Sequence, residues 1–162
     1  MNPSKAAFAQ PSELRTLDDV IAGADLFLGL SGPGVLTSDQ VKQMSVQPII
    51  FALANPMPEI LPDLARAAAP NAIIATGRSD FPNQVNNVLC FPFIFRRALD
   101  VGATTINDEM KLACIDGIAE LARATTSAEA AAAYQGEQLT FGADYLIPKP
   151  FDPRLVGIVS SA

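Results

Sequence analysis

Residues 47–56 read QPIIFALANP. From Ile49 to Ala54 there is no polar position, so no alternation separates an inner face from an outer one. Runs of this kind belong to strands buried on both faces, as in parallel sheets covered by helices. Pro48 and the Asn55-Pro56 pair bracket the run with turn chemistry. ADLFLGL at 24–30 and NAIIATG at 71–77 repeat the pattern on either side. The segments between them carry helical signals. TSDQVKQM (37–44) starts with Thr37 or Ser38 as N-cap, and LPDLARAAA (61–69) suits a short helix. TLDDVIAG (16–23) precedes the first strand, with Thr16 as N-cap, Asp18 and Asp19 at the positive end, and Gly23 as a stop. Helices between successive strands leave those strands parallel. The expected fold is α/β: an incomplete doubly wound, Rossmann-like parallel sheet with flanking helices and a helical C-terminal half. It is incomplete because two mononucleotide-binding halves would supply about six strands.

The second half is predicted to be helical. NVLCFPFIFRRALDVG (87–102) is expected to be a helix interrupted at Pro92, which lacks a backbone donor. NDEMKLACIDGIAELARA (107–124) is amphipathic, capped by Asn107, with Met110, Cys114, Ile118 and Leu121 on one face. TSAEAAAAYQG (126–136) reads as a short alanine-rich helix or linker. In PFDPRLVGIVSSA (150–162), Asp152 and Pro153 mark another helix start, running to Ala162.

Composition narrows the function classes. The chain has 162 residues, enough for one domain with a real core, and 49% of them are hydrophobic. Eleven basic against 17 acidic residues give a net charge of −6, with no run of Lys or Arg. That is no electrostatic footprint for nucleic acid or an anionic membrane, and neither is expected as a partner. There is no histidine, and Cys90 and Cys114 stand 24 positions apart in apolar contexts. Zinc spacing and Ser-His or Cys-His catalysis are therefore absent. Two reduced core thiols in a soluble, cytoplasmic protein are the expectation. No apolar run approaches the ~20 residues of a membrane span.

Ligands of open parallel sheets bind beyond the carboxyl ends of the strands. GLSGPG (29–34), ANPMPE (54–59) and TGRSDFPNQVNN (76–87) occupy those positions. The spacing G-x-x-G-x-G is not the phosphate-cradling G-x-G-x-x-G, so the first is more simply a tight turn. Asn55, where Pro56 forces the chain to turn, should project its carboxamide from the rim. Asn86 is placed to cap the helix behind it, whereas Asn87 has less structural reason to be there. Glu59 and Asp63 read as a solvated acidic face favouring a helix dipole, and Arg78 and Asp80 as a surface ion pair. Amides orient carboxylates, hydroxyls and a ring carboxamide but take neither a proton nor a hydride. The residues offer binding groups and no catalyst.

ADLFLGLSGPGVL, PIIFALANPMPEI, AIIATGRSDFPNQVNNVLCFPFIFRRALDVGA, INDEMKLACIDGIAEL and YLIPKPFDPRL occur here in that order. Together they resemble the malic enzymes of bacterial type, over the C-terminal part of the NAD(P)-binding domain. The TGRSDFPNQVNN block is the most specific of them, and Arg97 departs from the family pattern, where a small residue is expected. The resemblance implies oxidative decarboxylation of (S)-malate to pyruvate and CO2, with NADP or NAD and with Mg²⁺ or Mn²⁺. It implies cofactor binding by Ser31, Gly32 and Asn55, and malate binding by Asn87 and Asn55. The family's catalytic tyrosine and lysine, its acidic metal ligands and its glycine-rich loop all lie upstream of the region resembled. Residues 1–162 are thus expected to be the C-terminal portion of the nucleotide-binding domain, inactive alone, with the N-terminal portion as partner. The intact protein is expected to be a homo-oligomer, a dimer or higher. The alternative is a non-catalytic nucleotide- or dicarboxylate-binding or interaction module.

Overall fold

The computed structural model describes residues 3–134 and 139–161. After a single turn of helix, α1 (Pro3–Ala6), the elements alternate: α2 (Leu17–Ile21), β1 (Leu26–Gly29), α3 (Ser38–Gln43), β2 (Ile49–Ala52), α4 (Pro62–Ala68) and β3 (Ile73–Thr76). Helices α5 (Phe91–Asp100), α6 (Asp108–Arg123), α7 (Ala128–Ala133) and α8 (Arg154–Ser161) make up the second half. The strands form one parallel sheet in the order β1-β2-β3, with Leu26, Ile49 and Ile73 in register at one end. At the other end Gly29, Ala52 and Thr76 are aligned, so all three strands deliver their chain to the same rim.

The helix starts follow local chemistry. Thr16 and Thr37 each form a capping box, accepting from the third helical N–H while Asp19 or Gln40 reaches back to the cap's own N–H. Asn107 accepts from Met110 N, and Ser127 from Ala130 N. Gly23 ends the α2 segment at φ +72°, a backbone conformation that costs glycine little. Asp152 accepts from Arg154 N and forks onto its guanidinium, fixing the entry to α8. Gln135, Gly136 and Ala162, included in two of the helical expectations, lie outside the described residues.

Two expectations need correction. Pro92 does not interrupt a helix. A separate 3-10 turn spans Asn87–Leu89, and Pro92 then sits in the first turn of α5, where its missing N–H has no helical partner to lose. Nor is the sheet buried on both faces along its whole width. In β1, Phe27 and Gly29 are buried, while Leu26 and Leu28 are each 53% exposed. The face bearing Leu26 and Leu28 is open at β1, half-buried at Ile49 and Phe51 of β2, and closed at Ala75 of β3, which is 0% exposed.

Burial is organised in two clusters. One joins the sheet to its helices through Ile21, Phe27, Val41, Ile50, Ala65 and Ile74. The other joins α5, α6 and α8 through Leu89, Ile94, Cys114, Leu121, Leu155 and Val159. Asn83, buried and at φ +53°, stitches them together. Its amide donates to Ile74 O (3.0 Å) and Ala143 O (2.7 Å), and its oxygen accepts from Leu146 N (2.7 Å). An ion pair between Arg66 and Asp144 (2.7 Å) crosses the same seam.

Candidate functional site

The rim at the carboxyl ends of the strands is built from three turns. Past β1 the chain runs through Ser31 and Gly32 to Gly34, which takes φ +69°. Past β2 it turns at Asn55-Pro56, a cis peptide. Past β3 it doubles back alongside the strand: Val85 N donates to Thr76 O (2.8 Å), and the Thr76 hydroxyl accepts from Arg78 N (3.2 Å). The second and third turns enclose a cleft of about 560 Å³, whose lining includes Asn55, Met57, Arg78, Asp80, Gln84 and Asn86. A hydrogen-bonded fork joins Arg78 to Asp80 at 2.8 and 2.6 Å. That guanidinium holds the Asp80 carboxyl below its usual range.

The amides of this rim divide by what satisfies them. Asn83 is consumed by the backbone of the seam. Asn86 accepts from Val88 N (3.0 Å) and caps the 3-10 turn, as its position ahead of a helical run suggests. Asn55 and Asn87 are exposed, and neither carboxamide makes a hydrogen bond to another described residue. Asn55 reaches the cleft lining beside Asn86, and Asn87 stands one position further along, at the start of the 3-10 turn. Ser31 and Gly32 lie on the neighbouring turn, outside that lining. A methyl group at Gly32 would meet nothing within 4 Å, so its backbone is open to a ligand.

Glu59 overturns an expectation. It is not part of a solvated acidic face: its exposure is 0%. Oε1 accepts from Ser31 N (2.9 Å) and Oε2 from Ala54 N (3.0 Å), so one carboxylate bridges the turns after β1 and β2. The Ser31 N–H is thereby spent within the protein, in keeping with a turn and not a phosphate cradle. Asp63, by contrast, is exposed in the first turn of α4. One sequence signal points to the buried carboxylate: a glycine closing an otherwise apolar strand marks a close approach. At Gly29 a Cβ would fall 2.4 Å from Glu59 Cδ.

Parallel strands ending together on a glycine- and amide-rimmed crevice define a dinucleotide-binding α/β domain of Rossmann-like class. Residues 2–134 match the family model described as malic enzyme, NAD binding domain, and the chain belongs to that family. It is 63% identical over 163 aligned positions to an NADP-dependent malic enzyme of Escherichia coli, covering 100% of this chain and 22% of that protein. It is 62% identical to an NAD-dependent malic enzyme of Rhizobium meliloti, over 96% of this chain and 20% of that one. The crystal structure of an NAD-dependent malic enzyme from Thermotoga maritima superposes with a TM-score of 0.77 at 36% identity, over 98% of this chain and 37% of that chain. The chain thus spans about a fifth of the length of these curated relatives. Relatives of nearly equal identity are named for different cofactors, so likeness over this stretch does not track the choice between NAD and NADP.

Proposed function

We propose that this chain is the C-terminal portion of the nucleotide-binding domain of a malic enzyme. In the intact protein it supplies amides that bind cofactor and malate. That protein would convert (S)-malate to pyruvate and CO2 with NAD or NADP, aided by Mg²⁺ or Mn²⁺. When bound, the nicotinamide supplies the hydride acceptor. Ser31 and Gly32 line the cofactor, Asn55 contacts cofactor and substrate where they meet, and Asn87 holds a malate carboxylate. Neutral donors suit this task, because they orient an anion without trapping the product by charge. The role assigned to this chain is binding and orientation, with the metal ligands placed elsewhere in the intact protein.

The observation that carries this proposal is the contrast among the four asparagines. Two are satisfied by the protein itself, and the two assigned to ligands are not. Two free thiols support a cytoplasmic setting. Phe91, Phe95 and Leu99, exposed along one side of α5, support assembly of the intact enzyme as a dimer or higher oligomer. Among the described residues no helix is long and apolar enough to cross a membrane.

In the intact enzyme, Asn87→Ala should raise the KM for malate about tenfold or more and lower kcat. The KM for the dinucleotide should change little, as expected for loss of one hydrogen bond to a charged group. Steady-state kinetics with each substrate varied in turn provide the check. Unchanged malate kinetics would remove Asn87 from the site.

A further inference from the structure

A carboxylate taken wholly out of water needs a partner for each oxygen, and a buried charge is costly unless it is held that way. Glu59 meets the requirement without a cation: among the described residues no ion pair to it is present, and both oxygens accept main-chain N–H groups. The two donors are not scattered. One belongs to Ser31, in the turn after β1, and the other to Ala54, immediately before Asn55. The main chain adds to the same link, with Leu36 N donating to Glu59 O (3.1 Å) and Gly34 N to Pro58 O (3.4 Å). Gly29 completes it from beneath, since only the absence of a side chain there lets the carboxylate lie against the strand end. A plain structural staple would serve equally well between any two loops. This one joins the two turns that carry Ser31, Gly32 and Asn55, and leaves the Asn87 turn untouched.

We infer that Glu59 is a positioning residue for the dinucleotide. It holds the turn bearing Ser31 and Gly32 and the turn bearing Asn55 at one fixed separation, so that both meet the cofactor together. This rests on the ligand assignment proposed above. The role predicts a division of labour: loss of the clamp loosens the cofactor turns while the malate amide on the third turn keeps its place.

The test uses the intact enzyme with Glu59→Gln, which preserves shape but sets an amide NH2 against one of the two N–H donors. Fluorescence titration with NADH and NADPH should show Kd raised about tenfold for the dinucleotide the enzyme uses, in keeping with loss of a hydrogen bond to a charged acceptor. The KM for the oxidised dinucleotide should rise in parallel, and the KM for malate should rise less, because its Asn87 contact lies outside the clamp and only its Asn55 contact lies within it. A merely structural staple would lower the active fraction, reducing kcat with Kd and both KM values unchanged, and that pattern would overturn the inference. Gly29→Ala reaches the clamp from the strand side with the carboxylate retained. It should give the same rise in Kd, and adding it to Glu59→Gln should bring no comparable further loss. Full additivity of the two would also count against the clamp. Asn55→Ala separates the two levels of the proposal. If it weakens dinucleotide binding while Glu59→Gln does not, only the positioning role fails; if both leave Kd unchanged, the ligand assignment of these turns fails.

Discussion

Asn83, Asn86 and Asn87 lie within five positions of one another and do three different things. In sequence they are alike, and only Asn86 carries a local signal, its place before a helical run. Asn83 is fixed by partners at Ile74, Ala143 and Leu146, the last two 60 and 63 residues away. No window of sequence contains that information. Asn83→Ala would strip bonding partners from one buried and two partly buried backbone groups and place a Cβ-bearing residue without a compensating side chain at φ +53°. A loss of about 2–4 kcal/mol is expected in denaturant unfolding of the intact enzyme, with KM values of the surviving folded protein unchanged. Cys114 behaves differently. Burial, together with its neighbour Cys90, pushes its thiol up from 9.0 to about 11. The unfolded thiol therefore releases its proton at lower pH than the folded one. Between pH 9 and 11 the native state binds more protons, and this group's contribution to stability falls as pH rises. At pH 8 the native Cys114 should resist iodoacetamide, and peptide mass spectrometry should find it alkylated only after unfolding.

At the scale of elements, the sequence is legible wherever a structure depends on neighbours a few residues away. The Thr16, Thr37 and Asn107 caps, the three strands and their parallel order follow from residues close together in the chain. Pro92 shows where that stops. A proline within an apolar run predicts a broken helix, but the break falls before it, because Asn86 starts a separate turn and α5 begins at Phe91. Pro92→Ala should therefore shift stability by less than about 1 kcal/mol, far below the roughly 3 kcal/mol associated with relieving a proline in a helix interior. Thermal unfolding of the two intact proteins under one condition would measure the difference. Glu59 is only half legible, because Gly29 signals a close approach without saying which residue makes it. Near a helix start a glutamate has a ready local explanation, and its burial depends on Gly29, thirty positions earlier.

For the whole molecule, the expected two-sided burial of the sheet holds at β3 and is lost stepwise toward β1, whose second face the described residues leave uncovered. Leu26 and Leu28 on the edge strand β1, and Leu30 just past its end, are at least half exposed, an arrangement that favours association. The 162-residue chain alone should thus self-associate, with a sedimentation coefficient that rises with concentration, and should form no NAD(P)H from malate. Turnover by the isolated chain would contradict the assignment of the catalytic acid, base and metal ligands to other parts of the intact protein. A concentration-independent monomer that binds dinucleotide tightly would favour a stand-alone binding module.

Gly29 and Glu59 also bear on inheritance. A methyl group at position 29 and a carboxylate at position 59 cannot share the same space, so neither site is free to drift while the other stays as it is. Descendants that lose the acid gain room for a larger residue on the strand, whereas those that keep it remain bound to glycine.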